Sequence, residues 1–327
     1  MGRGRGFQRW AGGEVLGDGP RNRSTSGVEI LNRVEISVRD LVALTCRSGD
    51  IRRGAGPRGS ALEGQTAHKT IQRSRDGAYE AERRFSSTVS RGDVELAVSG
   101  RADGVDLSRS PPLIEEIKSV ATPLILLHEA ARPLDFAQAH VYAAMLAMET
   151  RAQAVRVRLT YVHRETEEVR VFETTKSAFE IEAFFEAAAG RLIARIEGVF
   201  AKRAVRNASI AKLGFPYARP RPGQLELSAA VTASIGKGER LLAHVPTGAG
   251  KTMAILMGAL ASMAQGRAEQ LFFLTSRGTG RKAVSKALED LRSAGLSCTS
   301  LELTAKEKIC PHPNAECDAE SCPVARG

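Results

Sequence analysis

The 327-residue chain is 43% hydrophobic and 26% charged, a composition that supports buried cores and excludes wholesale disorder. Its 47 basic and 37 acidic side chains leave a net charge of +10, which favours a polyanionic partner, nucleic acid being the commonest. No apolar run approaches the roughly 18 residues of a membrane helix. Met1 to Trp10 are basic and Gly-rich without the apolar stretch of a secretory signal, so a cytoplasmic location is expected.

Residues 1–27 combine Gly and Arg without periodicity and read as a disordered basic leader. Val34, Ile36 and Val38 then alternate as in a strand, a helix opens over Val38–Leu44, and Gly49–Gly59 reads as a loop. Short alternating runs at Phe85–Val89, Val94–Val98, Gly100–Leu107 and Leu113–Val120, separated by Gly, Asp, Ser and Pro, predict strands. Leu134–Thr150 predicts an amphipathic helix, Val155–Val162 with Val169–Thr174 a hairpin, and Ser177–Arg203 a long helix. Residues 28–210 are therefore expected to form one α/β domain.

Pro216, Pro220 and Pro222 mark Leu213–Gly223 as a linker, with residues 211–223 leading into a second domain. There the pattern predicts a helix (Leu225–Ile235), a buried strand (Arg240–Val245), a Gly loop, a helix (Thr252–Gln265) and a second buried strand (Gln270–Leu274). Strand, helix and strand in that order imply a parallel sheet with a crossover. The C-terminal stretch loses periodicity and gathers Cys310, Cys317 and Cys322. An odd total of five cysteines in a chain without a signal argues for metal or cluster ligation over disulfides.

The sharpest local signal is Val245-Pro246-Thr247-Gly248-Ala249-Gly250-Lys251-Thr252, set between an apolar run and a helix. Glycines let successive amides face a phosphate at the positive end of the following helix. Lys251 would reach the outer phosphates and Thr252 would hold Mg²⁺. Val245 stands where the usual pattern has its first Gly.

The form Pro-Thr-Gly-x-Gly-Lys-Thr resembles motif I of superfamily 2 helicases. Arg221-Pro222-Gly223-Gln224 resembles the Q motif, and Thr275-Ser276-Arg277 resembles motif Ia. The run Leu303–Pro311, with Cys317 and Cys322-Pro323, is similar to the iron–sulfur insertion of XPD/DinG-type helicases. The resemblance covers about residues 213–327. It implies a RecA-like motor segment at 224–303, with ATP and its Mg²⁺ held by Gln224, Thr247, Gly248, Ala249, Gly250, Lys251 and Thr252. It also implies DNA contacts from Thr275, Ser276 and Arg277, and a [4Fe–4S] insertion beginning at 304–327.

No Asp-Glu-x-His box follows any predicted strand, no second RecA-like domain is present, and the sequence ends at Gly327 inside the insertion. The chain is thus expected to be the front part of such a helicase, with little or no ATP turnover alone. A [4Fe–4S] cluster takes four thiolates, of which Cys310, Cys317 and Cys322 are three. Cys298 is a conceivable fourth, although its apolar run (Leu296–Leu303) reads as a buried strand. A zinc site of Cys310, His312, Cys317 and Cys322 is acceptable by ligand type but cramped between Cys310 and His312.

The first domain holds a second constellation: Gly64-x-x-x-His68, Gly100-Arg101-Ala102-Asp103, Glu116-Ile117-Lys118 and Gln138-x-x-x-Tyr142. Asp103 and Glu116 fall on neighbouring predicted strands. By alternation Glu116 and Lys118 share a face while Glu115 points to the other. Two carboxylates can hold Mg²⁺ or Mn²⁺, with an imidazole from His68 as a further ligand and Lys118 stabilising charge on a scissile phosphate. Gln138 and Tyr142 share a helix face and could clamp the DNA backbone.

This ordered set resembles RecB-type PD-(D/E)xK nucleases over about residues 30–200. The resemblance implies metal ligation by His68, Asp103 and Glu116, catalysis by Lys118, and Gln138 and Tyr142 on the following helix. Together the two resemblances imply an ATP-dependent DNA helicase–nuclease, with DNA repair or defence as its setting. Two other readings stay open. One is a non-catalytic DNA- and nucleotide-binding protein with a degenerate nuclease fold. The other is a P-loop ATPase unrelated to DNA, which the motif Ia element and the basic balance disfavour.

Overall fold

The computed structural model describes residues 32–47, 61–121, 123–127, 133–275, 278–314, 322 and 324. Contacts divide the chain into two compact units, residues 1–196 with 306–327, and residues 197–305.

The first unit is built on a six-stranded mixed sheet. β1 (Asn32–Ser37) runs straight into α1 (Val38–Thr45), where the Ser37 hydroxyl accepts the Asp40 N–H at 3.0 Å and caps the helix. After α2 (Ala61–Arg73), β2 (Tyr79–Arg91) and β3 (Val94–Asp106) form a long hairpin. Its two-residue turn needs the positive φ of Gly92, +52°. β4 (Leu113–Val120) crosses through α3 (Pro133–Thr150) to the parallel strand β5 (Ala154–His163), and β6 (Val169–Ser177) closes the sheet antiparallel to β5.

β3 is the branch point. β2 covers one of its edges along the whole length. The other edge carries β1, parallel, over Val94–Ser99 and β4, antiparallel, over Gly104–Asp106. Residues 100–103 lie between the two partners, so the sheet forks there.

Alternation along β4 then decides which groups meet which helix. On one face Ile117 packs with Ile71 of α2 and Val162 of β5. On the other, Lys118 reaches Gln138 of α3. α4 (Ala178–Ala211) turns Ile181, Phe185, Ala188, Leu192, Ile193 and Ile196 inward at helical spacing. The unit is thus α/β, as expected. β3 is continuous where two runs were predicted, because Gly100 reads as a break in sequence. β2 starts earlier than predicted, because four of the residues before Phe85 are charged and only Tyr79 and Ala81 are apolar.

The second unit packs the end of α4 with α5 (Gln224–Lys237), α6 (Lys251–Ala264) and α7 (Gly278–Ser293). Its core gathers Ile210, Met253, Leu256, Leu260, Met263 and Leu291. α5 and α6 touch at Gly258, where an added Cβ would lie 2.4 Å from the Ser228 carbonyl oxygen.

The expected parallel sheet of this unit is not formed. Arg240–Val245, Gln270–Leu274 and the run Leu296–Leu303 make no ladder. Leu242 is 99% exposed, Leu274 89% and Leu301 83%. Apolar composition supplies a strand with burial, but a strand also needs a neighbour to take its N–H and C=O groups. Among the described residues of this unit no strand pairs with these runs. No described helix is long and apolar enough to cross a membrane.

Candidate functional site

The fork in β3 exposes backbone groups that no strand takes, and side chains satisfy them. The Asp103 carboxylate replaces the missing ladder, its Oδ2 accepting the Ile117 N–H of β4 at 2.7 Å. The Tyr142 hydroxyl of α3 accepts the Arg101 N–H at 3.1 Å. Only a glycine at position 100 permits that approach, since a Cβ there would lie 2.5 Å from the Tyr142 oxygen. The Tyr142 ring packs on Phe85 at 6.1 Å between centroids, and the residue is 4% exposed. Tyr142 therefore does not clamp DNA from the surface; it props the fork from within, and burial pushes its phenol pKa up.

Asp103 also faces α2. Its Oδ1 lies 3.2 Å from His68 Nδ1, and Gln72 donates to its backbone carbonyl at 2.8 Å. The hydrogen bond to Asp103 holds the His68 imidazole above its usual pKa, against the opposing effect of burial.

Glu116 and Lys118 project together from β4 and form an ion pair. Lys118 also donates to Gln138 Oε1 at 3.1 Å, which makes Gln138 a positioning group for the ammonium. Burial pushes the Glu116 carboxyl up to about 7, although Lys118 pulls the other way; Asp103 adds to the rise. For Lys118, burial works against the charge, but the attraction of Glu116 outweighs it and the pKa is raised. Glu115 points to the opposite face, where Arg75 and the Thr160 hydroxyl both hydrogen-bond its carboxylate. That pair is structural.

One oxygen in this arrangement has no protein partner. Glu116 is 3% exposed, and its Oε2 makes no hydrogen bond. A buried carboxylate oxygen left alone is costly unless a cation or donor meets it. Carboxylate oxygens with one imidazole suit Mg²⁺ or Mn²⁺.

Sequence reasoning missed Glu82. The hairpin pairs Ala81 with Gly104 and Arg83 with Ala102, which sets Glu82 opposite Asp103. His68, Glu82 and Asp103 each offer one ligand atom within 4.8 Å of the others, and Glu116 stands outside that set. Glu82 sits at φ +58°, a left-handed conformation that is strained for a residue with a side chain. The signal was available by folding the sequence about the Gly92-Asp93 turn.

In the second unit, Gly248 and Gly250 adopt φ of +82° and +78°, and α6 starts at Lys251. The Lys251 ammonium crosses the loop to the carbonyls of Val245 and Pro246, at 3.1 and 3.0 Å. Gln224 is 4% exposed and braces the loop, donating to the Gly250 carbonyl at 3.0 Å and accepting the Arg221 N–H at 2.6 Å. Its amide is thereby turned to the loop backbone. Arg221 also donates to the Gly248 carbonyl.

No known family matches the chain. No curated protein matches it either. Among solved structures, one titled "Crystal structure of SSO0001" is similar at 17% identity and a TM-score of 0.34, covering 49% of this chain and 75% of that one. A likeness at that level bears on neither fold nor function.

The remaining expected residues are not assembled by the described part of the chain. Cys317, Ser276 and Arg277 lie outside the described residues. Thr275 packs beside Gly280 of α7. Cys322 is buried and Cys310 half-buried, and both are free thiols. Cys310, His312 and Cys322 do not converge as a ligand set, the converging triad among the described residues being His68, Glu82 and Asp103.

Proposed function

We propose that the first unit hydrolyses phosphodiester bonds in DNA with a divalent cation, and that the second binds ATP in the manner of an XPD/DinG-type helicase segment. The observation that carries the nuclease reading is the orphaned Glu116 oxygen, buried beside Lys118 and within electrostatic reach of Asp103 and His68.

A cation held by Asp103, Glu116 and His68 would polarise the scissile phosphoryl oxygen and ease deprotonation of an attacking water. The chain's own groups do the rest. Asp103 is fixed by the Ile117 N–H, so the cation would meet a carboxylate already oriented. Lys118, kept charged by Glu116 and aimed by Gln138, offers its ammonium to negative charge growing on the phosphate. Tyr142 keeps the fork open. In the second unit the Lys251 ammonium stands where phosphates entering the glycine loop would displace its carbonyl contacts. The net charge of +10 favours the polyanion on which both units would work.

The test is cleavage of single-stranded DNA by the full chain in Mn²⁺ or Mg²⁺. Replacing Lys118 by Ala should lower the rate by about 10²- to 10³-fold with DNA binding retained. Equal rates for the two proteins would refute the assignment. Salt-dependent DNA binding with no cleavage at all would leave the non-catalytic reading in its place.

A further inference from the structure

Glu82 and Arg101 are the two groups at the fork whose arrangement the reaction does not use. They form an ion pair at 2.6 Å, with side chains 42% and 59% exposed. Gln72 donates to the other Glu82 oxygen at 3.2 Å and also bonds the Asp103 carbonyl, so one amide ties the two acidic residues together. The strained backbone at Glu82 costs stability, and its effect is to hold that carboxylate beside Asp103 and His68. An acidic cluster alone is no site. Here the buried Glu116 Oε2, outside that triad but within electrostatic reach of Asp103 and His68, makes no hydrogen bond and independently calls for a cation.

Building on the proposed nuclease reading, we infer that Glu82 is a further metal ligand held in reserve by Arg101. When a divalent cation settles against His68 and Asp103, Glu82 leaves Arg101 and completes the oxygen shell. The freed Arg101 guanidinium, on the residue two before Asp103, then takes a phosphate of the nucleic-acid backbone. An exposed Arg–Glu pair is weak, so the exchange is easily driven by either ligand. Because one ion pair must open for both events, cation and DNA each raise the affinity for the other by the same factor. A phosphodiester bound without cation would find Arg101 still occupied.

The experiment measures Mn²⁺ binding to the full chain by the loss of the free-ion paramagnetic resonance signal. The proteins are wild type, Glu82→Gln, Arg101→Ala and Asp103→Asn, each with and without an uncleavable phosphorothioate oligonucleotide. Glu82→Gln should weaken Mn²⁺ binding by about ten-fold or more. Arg101→Ala should tighten it, up to about five-fold, because the competitor for Glu82 is gone. It should also abolish the mutual enhancement between Mn²⁺ and oligonucleotide. Unchanged Mn²⁺ affinity in Glu82→Gln, with binding lost in Asp103→Asn, overturns the role of Glu82 and leaves the nuclease reading standing. Weaker Mn²⁺ binding in Arg101→Ala overturns the reserve relation. Absence of Mn²⁺ binding by the wild type overturns both.

Discussion

Replacing Gly100 by Ala should damage the fork through one identifiable collision. The new methyl would lie 2.5 Å from the Tyr142 oxygen and 3.0 Å from both the Tyr142 ring and Val38. Overpacking of this kind costs about 1–3 kcal/mol. Pushing the hydroxyl away also strips the Arg101 N–H of its acceptor, an unmade buried hydrogen bond worth about 1–3 kcal/mol. The two overlap, so a loss of about 2–4 kcal/mol from the first unit is expected. Tyr142→Phe removes the hydroxyl alone and should cost about 1–2 kcal/mol. The double mutant should be more stable than the sum predicts by at least about 1 kcal/mol, since the methyl no longer meets an oxygen. Urea unfolding followed by circular dichroism gives the cycle, and amide exchange at Arg101 reports the local bond. Additive costs, or Arg101 exchange unchanged in Tyr142→Phe, would refute this account of the fork.

Two further outcomes follow from the same geometry. Native Glu116, with its pKa raised from 4.5 to about 7 by burial, keeps a proton that the unfolded chain has shed. Its contribution to metal-free stability is full at low pH and is lost as pH rises through that window; thermal scans should show the decline, flattened in Glu116→Gln. Removing the ammonium in Lys251→Ala should weaken binding of a non-hydrolysable ATP analogue by about 10- to 100-fold in calorimetry, the range of a charge-assisted hydrogen bond.

Much of the site could be read from sequence because it rests on short-range rules. Alternation put Glu116 with Lys118 and set Glu115 apart, and helical spacing put Gln138 and Tyr142 on one face. Where each face points is a long-range matter. Tyr142 has the polar tip of a surface contact, and only the fork shows that its hydroxyl is needed inside. Glu82 escaped notice because it lies in a charge-rich stretch of its strand, and its significance depends on a partner strand and an unusual backbone angle. In the second unit, the apolar runs at Arg240–Val245 and Gln270–Leu274 predicted buried strands, yet both lie largely exposed. Periodicity cannot supply the neighbour that turns such a run into a ladder.

Those runs have a consequence for how the protein behaves in solution. Leu242, Phe272 and Leu274, at 99%, 74% and 89% exposure, stand on segments that join no sheet and offer apolar surface to another copy. A net charge of +10 sets up mutual repulsion that opposes such contacts. Electrolyte screens that repulsion without weakening apolar attraction. Self-association should therefore grow as salt is added, and dilute buffer with low salt is the medium expected to keep the chain dispersed.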